Sequence, residues 1–241
     1  MKTKKINRGL ALGAAVIIGT SMYIGYDTLS FKSSKSDIEA AVKDYIAATA
    51  DANVKSGTDN SKWESLINDN WSYNRFYDKS YYYRTADEIK REIRYERETG
   101  DIGEILECTP KILSITVKKE GPDLAKAIVK YSFDFKAKGN VYFMPLSYPV
   151  DIMQAAIDMN YGDSYNNNAL VKDTEYSGTI TCDNDMEFIL QEDDGEWKIV
   201  ACGGEEYTNL LLYDKDGEPF DYEKLLGKED EEGMIGGDEN A

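Results

Sequence analysis

The chain of 241 residues contains no histidine, and this absence excludes several kinds of chemistry. Without an imidazole, the chain cannot build a Ser-His-Asp triad, a Cys-His pair, a histidine-ligated zinc or haem site, or a histidine general base. Carboxylates, tyrosines, lysines and thiols are the groups left for proton transfer. We therefore predict no catalytic residues, no metal site and no cofactor, and we favour a binding protein over an enzyme.

Positive charge is the second scarcity of this sequence. The chain has 28 Lys and Arg against 45 Asp and Glu, which gives a formal net charge of -17. Phosphate groups are bound by clustered lysines and arginines, so this balance argues against nucleic acid, or an anionic membrane surface, as the main partner.

The few cations are concentrated at the amino terminus. Residues 1–8 carry four cations and no acid, and an apolar run follows over residues 9–26. This pattern is typical of a cleaved signal peptide or an uncleaved signal anchor, and the positive-inside rule keeps the head in the cytoplasm. Because neither an Ala-x-Ala cleavage site nor a lipoprotein cysteine follows the run, we favour the anchor. The chain after Asp27 is then extracellular, on a single-pass protein of the cell membrane.

Three helix starts share one device, a Ser or Thr followed three residues later by a Glu that reaches back to it. These capping boxes are Ser36/Glu39, Ser61/Glu64 and Thr85/Glu88. The first helix has an amphipathic stripe, and the third has so few apolar residues that we expect it on the surface. The stripe consists of Ile38, Ala41, Val42, Tyr45, Ile46 and Thr49.

After Gly100 the sequence alternates with a period of two, which predicts antiparallel strands with one wet face. Leu113, Ile115 and Val117 are predicted to share a face of one strand. The next strand, beyond a turn at residues 121–123, has its apolar residues on one side and lysines on the other. Those apolar residues are Ala127, Val129, Tyr131, Phe133 and Phe135.

A second hairpin is centred on Asp194-Gly195, a strong signal for a tight turn. With this turn, Leu190 pairs with Ile199 and Phe188 with Ala201, so these four residues and Trp197 are predicted on the core side. Cys202 then faces Glu187. In this register Cys182 and Cys202 lie too far apart for a disulfide, and we favour buried thiols over a bridge from Cys108 to either of them.

The remaining segments complete the predicted domain organisation. Between the hairpins, residues 139–173 are predicted to be an insertion or crossover with a helix that includes Ile152, Ala155, Ala156 and Met159. We divide the chain into a cytoplasmic head (1–8), a transmembrane signal anchor (9–26), a stalk (27–35), an exported α+β domain (36–206), a C-terminal hairpin extension (207–226) and an acidic disordered tail (227–241).

Three helices followed by antiparallel strands, ending in Asp-Gly-Glu-Trp-Lys-Ile-Val at residues 194–200, resemble the nuclear transport factor two-like superfamily, also called cystatin-like. The resemblance covers residues 37–204 and implies helices packed on a curved antiparallel sheet, with a long first helix across it, in the shape of a cone. It also implies a binding or assembly role, as in membrane-anchored Gram-positive surface proteins and in scaffold components of conjugation and secretion machines. Enzymes with this fold use Asp, Tyr or His inside the cone, but no motif here carries their residues over.

Residues 71–84 have the most unusual local composition of the chain, with six tyrosines and tryptophans offered as a contact surface. The candidate binding residues are Trp71, Tyr73, Tyr77, Tyr81, Tyr82 and Tyr83. The alternative is that these rings pack the second and third helices onto the sheet. A further hypothesis places Asp134, Asp151 or Asp158 near Tyr131 as an acid/base pair.

These observations together predict a bacterial membrane-anchored binding or scaffold module of a cell-envelope assembly, similar to those of secretion or conjugation. Its partner would be an envelope protein or a second copy of the chain. A small-molecule or glycan-binding surface module and an Asp/Tyr-dependent enzyme are the two alternatives.

Overall fold

The structure of the protein is a computed structural model that describes residues 31–32, 34–54, 61–72, 83–97, 103–161, 174–205 and 207–222. The predicted head, the predicted anchor and the predicted tail lie outside these residues. No helix within the described ranges is long and apolar enough to cross a membrane.

The described residues form four helices and eight strands. The helices are α1 (34–53), α2 (Ser61–Asn70), α3 (Ala86–Arg97) and α4 (Ile152–Tyr161). The strands are β1 (Tyr83–Arg84), β2 (Glu104–Lys119), β3 (Leu124–Lys138), β4 (Tyr142–Phe143), β5 (Val150–Asp151), β6 (Glu175–Asp193), β7 (Glu196–Gly203) and β8 (Asn209–Asp214).

Six of the strands build one sheet in the order β1-β7-β6-β3-β2, with β8 also paired to β6. All these pairings are antiparallel, and β4 and β5 make a separate two-stranded sheet. Strand β6 is 19 residues long, so its first half pairs with β8 and its second half with β7. The fold is therefore α+β with an antiparallel sheet, which confirms this part of the prediction. The hairpin assigned to a C-terminal extension contributes β8 to the main sheet.

One face of the sheet is packed against the helices. The predicted stripe of α1 is confirmed, since Ile38, Val42, Tyr45 and Ile46 are fully buried in the same core cluster as the inner residues of β3. Helix α3 does not merely lie on the surface as expected, because its Ile89 and Ile93 are also buried there. The core of the molecule thus lies between the sheet and the helices.

The capping boxes of the first and third helices have different outcomes. The N–H and the hydroxyl of Thr85 both donate to the Glu88 carboxylate, at 2.8 and 2.9 Å, which confirms the third helix start. The first start is wrong, because residues 31–32 and 34–35 are already helical and Ser36 lies inside the helix. Phe31 packs against the core, and this contact extends the helix into the segment predicted as a stalk.

Two β-bulges overturn predicted faces of strands. Leu113 has no partner between Ile112, which pairs with Tyr131, and Ser114, so it is exposed instead of sharing a face with Ile115 and Val117. An inserted residue interrupts the alternation of a strand. The side chains beyond it therefore lie on the face opposite to the one that uninterrupted alternation predicts.

The second bulge lies at Val200 in β7. Leu190 pairs with Ile199 as predicted, but Phe188 pairs with Cys202, so Cys202 does not face Glu187. Ala201 consequently leaves the core side and joins a small cluster with Ile189 on the other face. In α4, Met159 is likewise exposed and not part of the predicted apolar face, whereas Ile152 and Ala156 are buried.

Candidate functional site

The interior between sheet and helices is filled by aromatic side chains. Tyr45 of α1 makes edge-on contacts with Trp71 at 6.0 Å and with Phe188 at 5.9 Å between ring centroids. A second group of rings continues along the core face, with Phe133 and Phe143 at 5.4 Å. These rings are essentially inaccessible to solvent, so the core face of the sheet serves packing.

Five uncharged polar side chains are buried among the described residues. They are Thr49, Asn53, Ser72, Ser132 and Ser147. The side-chain amide of Asn53 donates to the Met144 carbonyl at 2.9 Å and accepts from the Met144 N–H at 3.0 Å. The hydroxyl of Tyr45 donates to the Leu146 carbonyl at 2.7 Å. Because these bonds satisfy backbone groups that would otherwise be buried and unpaired, we assign them a structural role.

The structure describes two of the six predicted aromatic site residues. Trp71 is buried at 2% exposure, in contact with Tyr45, and its indole Nε1 has no hydrogen-bond acceptor among the described residues. This position fits the alternative in which the rings pack helices onto the sheet. Tyr83 is half-buried in β1, and Tyr73, Tyr77, Tyr81 and Tyr82 lie outside the described residues.

The carboxylates considered as acid/base partners of Tyr131 have other partners. Asp134 is exposed on the face of β3 opposite to buried Tyr131, and its carboxylate accepts from the Thr179 hydroxyl at 2.7 Å. Asp151 accepts from the Gln154 N–H at 2.9 Å in the first turn of α4. Asp158 accepts from the Gln154 side chain at 2.7 Å. Each carboxylate is thus held by a contact that serves the fold.

One buried tyrosine lacks a hydrogen-bond partner among the described residues. The hydroxyl of Tyr176 and the Oδ1 atom of Asn140 are both in this state. Burial, and then the charge of Asp151, raise the pKa of Tyr176 far above its ordinary value, so this phenol stays protonated at physiological pH.

The three cysteines are free thiols. Burial, followed by the charges of Asp51 and Asp134, raises the pKa of Cys108 to about 12, which keeps this half-buried thiol unreactive at neutral pH. The Cys182 thiol donates to the Glu205 carbonyl at 3.0 Å. Across the described ranges, no group of three or more Cys, Asp and Glu side chains is arranged to hold a metal ion.

The outer face of the sheet, which is the face away from the helices, differs in charge from the rest of the chain. Residues 104–138, which form β2, β3 and their turn, contain seven lysines and five acids, whereas the rest of the chain has 21 Lys and Arg against 40 Asp and Glu. The alternation along these strands places six of the seven lysines on the outer face. They are Lys111, Lys118, Lys126, Lys130, Lys136 and Lys138.

At one corner of the outer face, Tyr83, Lys126 and Glu187 connect β1, β3 and β6. Tyr83 donates to the Glu187 carboxylate at 2.5 Å, and the Lys126 ammonium donates to the same carboxylate at 2.9 Å and to the Tyr83 hydroxyl at 3.1 Å. Burial tends to raise the pKa of Glu187, but the hydrogen bonds from Tyr83 and Lys126 outweigh it and lower the pKa. The same carboxylate raises the pKa of Lys126. We call this group the corner triad.

At the opposite end of the outer face lies a shallow polar trough of about 250 Å³ between β2 and β8. Glu107 and Lys136 form an ion pair of 2.9 Å on one side, and half-buried Tyr213 lies on the other. Hydroxyls and a carboxylate complete its polar lining, namely Thr109, Asp134, Ser177 and Thr179. A larger open groove of about 440 Å³ lies between α1 and α2, and small or apolar side chains form much of its wall.

Comparisons with known proteins add little to this geometry. No protein-family model matches the sequence, and no curated protein matches it either. Among solved structures, the chain is similar to an uncharacterized protein with a cystatin-like fold from Caulobacter vibrioides, with 12% sequence identity and a TM-score of 0.34. The similarity covers 70% of this chain and 85% of that chain. The architecture given above stands on the strand pairing and packing of this chain.

Proposed function

We propose that this protein is a membrane-anchored, extracytoplasmic, non-catalytic binding or scaffold module of a bacterial cell-envelope assembly. In this proposal the domain is a cone of the nuclear transport factor two-like kind, its amino terminus is cytoplasmic, and its partner is another protein of the envelope. The outer face of the sheet is the binding surface.

The observation that supports this proposal is the difference between the two faces of the sheet, one packed and apolar and the other exposed and charged. The core face is filled by rings such as Phe133 and Phe188, and its polar groups Asn53 and Tyr45 bond to the backbone of the loop before α4. In contrast, β2, β3 and their turn carry seven lysines against five acids, with six of these lysines on the outer face, in a chain whose remaining residues are strongly acidic. A region of opposite charge on such a surface favours one orientation of an approaching partner.

The proposed location rests on the sequence. The basic head and the apolar run at residues 9–26 are typical of a signal anchor. All 45 acids lie at or beyond Asp27, so the charge is segregated as expected for a basic cytoplasmic end and an acidic exported part.

Site-specific photo-crosslinking in intact bacteria tests the proposal with the full chain. A photo-reactive amino acid at Thr116, exposed on the outer face, should give a discrete adduct with an envelope protein in the membrane fraction. The matched probe at Asp87, exposed on α3, should give none. External protease should digest the domain but not the amino-terminal head. A cleaved, secreted monomer that crosslinks to no envelope protein would contradict the proposal.

The trough supports a second candidate function, the binding of a glycan. Carboxylates and hydroxyls that can bond sugar hydroxyls line it, and the ring of Tyr213 offers an apolar face for a sugar ring. If this function is right, a glycan array probed with the full chain should show binding that Tyr213→Ala abolishes and Tyr83→Phe retains. Equal binding by both variants would remove this candidate.

A further inference from the structure

The edge of the sheet formed by β2 carries the further inference. Strand β2 is 16 residues long and is the last strand in the order of the sheet. Within the described part of the chain, its outer edge meets one other backbone segment, through the isolated bridge between Val54 and Ile105. An edge strand presents N–H and C=O groups that can pair with another chain.

The hydrogen bonds of the adjoining turn show which backbone groups of β2 point outward. The Glu120 N–H donates to the Leu124 carbonyl at 3.0 Å, so this pair is a bonded pair of the antiparallel ladder. Bonded pairs alternate with unbonded ones, which places Lys118 and Thr116 in bonded pairs with β3. Ile115 and Val117 consequently direct their N–H and C=O groups away from β3.

An independent bond confirms this alternation. The Glu192 N–H donates to the Asp123 carbonyl at 2.9 Å, so Asp123 bonds toward β6 while its neighbour Leu124 bonds toward β2. The two bonds agree with each other, because successive residues of a strand direct their backbone N–H and C=O groups to opposite sides.

One half of the β2 edge is protected and the other half is open. In the first half, Pro110 has no N–H to offer, and bulges at Leu106 and Leu113 interrupt the ladder. Such features are typical ways in which proteins prevent edge-to-edge pairing. Residues 114–118 contain no proline and no bulge, and the charge of Lys118 is their one protective feature. Ile115 and Val117, whose backbone groups point outward, both lie in this stretch.

The charge around the open stretch selects the occupant. Lys111 and Lys118 are exposed and form no ion pair within the described ranges, and Lys130 is 3.8 Å from an Asp185 carboxylate that is 64% exposed. A second copy paired along the same stretch would bring another Lys118 and no carboxylate to this edge, so it offers no opposite charge to these lysines. An acidic strand would instead place carboxylates beside Lys118, with Lys130 on β3 one strand further into the sheet.

We propose that residues 114–118 of β2 accept an extended acidic segment of a partner protein as an additional strand. The N–H and C=O groups of Ile115 and Val117 bond the backbone of that segment, and the outer-face lysines select its charge. This inference rests on the proposed function, because it names how the envelope partner is held.

A peptide of eight residues in which glutamate and valine alternate, capped at both ends, is the probe for this site. Its glutamates would share the outer face with Lys118, and its valines would extend the core face beside Ile115. Fluorescence anisotropy with the full chain in detergent micelles should show binding that weakens as salt is added. A peptide with lysine in place of glutamate should not bind. Hydrogen exchange at residues 114–118 should slow when the glutamate peptide binds.

Two pairs of variants separate the edge from general charge and packing effects. Lys118→Glu should weaken binding about threefold or more through loss of an ion pair and added repulsion. Lys215→Glu makes the same change of net charge in an exposed turn and should leave binding unchanged. Ile115→Pro removes an outward N–H and should weaken binding about fivefold beyond the effect of Ile115→Ala, which keeps the N–H. Proline is tolerated in edge strands where its nitrogen faces solvent, so this variant should fold.

The results that would overturn the inference are distinct from those that would overturn the proposed function. Equal effects of Lys118→Glu and Lys215→Glu, or unchanged exchange at residues 114–118, would overturn the edge site while crosslinking from Thr116 could still support the binding module. Concentration-dependent dimers abolished by Ile115→Pro would assign the edge to a second copy. Tighter peptide binding after removal of residues 223–241 would assign it to the acidic tail of this chain.

Discussion

The two faces of the sheet are built from the same strands but do different work. Along β3, Tyr131, Phe133 and Phe135 face the helices and are buried, whereas Lys130, Asp134 and Lys136 face solvent between them. The core face stabilises the folded protein because its apolar area is removed from water. The exposed ion pairs of the outer face contribute little to the free energy of unfolding. A substitution should therefore change folding on one face and interactions on the other.

The largest expected difference between the faces comes from truncating an apolar side chain on each. Phe133→Ala should lower the free energy of unfolding by about 3–5 kcal/mol, because the ring is fully buried between Tyr131 and Phe143 and leaves a cavity. Leu211→Ala on the outer face should cost less than about 1 kcal/mol, since this side chain is 47% exposed. Urea denaturation followed by tryptophan fluorescence measures both. Similar losses would show that the outer face is also part of the core.

The sequence predicted the two faces where the strands are regular, and it failed where a bulge intervenes. The alternation in β3 is uninterrupted over its apolar residues, so the prediction there is confirmed. Leu113 and Ala201 were assigned to the core by the same alternation, but each lies at or beyond an inserted residue. A bulge is decided by tertiary packing and carries no signal in the alternation itself. Residues 207–226 were predicted as a C-terminal hairpin extension, but their strand β8 belongs to the main sheet because it pairs with the first half of β6.

The candidate site was even less accessible to sequence reasoning. The lysines of β3 were visible as a wet face, but placing Lys111 and Lys118 beside them requires the β2–β3 register on both sides of the bulge at Leu113. The corner triad joins residues 43 and 61 positions apart in the chain. Tyr83 was predicted as one of six aromatic binding residues, but no pattern in the sequence linked it to Lys126 or Glu187.

The second prediction concerns the hydrogen bonds that attach the end of α1 to the loop before α4. Asn53 and Asn70 each end a helix and each donate to the carbonyl four residues earlier, at 3.0 and 2.9 Å. Asn53 also pairs with both backbone groups of Met144. Asn53→Ala should therefore lower the free energy of unfolding by about 2–3 kcal/mol, because two buried backbone groups lose their partner.

Asn70→Ala is the matched control for this contact. It removes the same bond within the helix but no bond to another element, and it should cost about 0.5–1 kcal/mol. Thermal unfolding of the two variants provides the comparison. If both melt at the same temperature, the bonds to Met144 contribute nothing net, and the attachment of α1 to the loop depends on apolar packing alone.

The smallest expected effect lies on the outer face and depends on pH. Because the pKa of Glu187 is lowered in the folded protein, its carboxylate contributes stability above the unfolded value of about 4.3, and this contribution is lost as pH falls through the folded value. Glu187→Gln should therefore cost about 1 kcal/mol at pH 7 and almost nothing well below pH 4. Glu107 also meets a lysine at 2.9 Å, but both partners are more than half exposed, so Glu107→Gln should cost less than about 0.5 kcal/mol at either pH. Urea denaturation of the wild type and both variants at pH 7 and below pH 4 separates the two pairs. Identical pH profiles would mean that the corner triad stabilises the fold no more than an ordinary surface ion pair does.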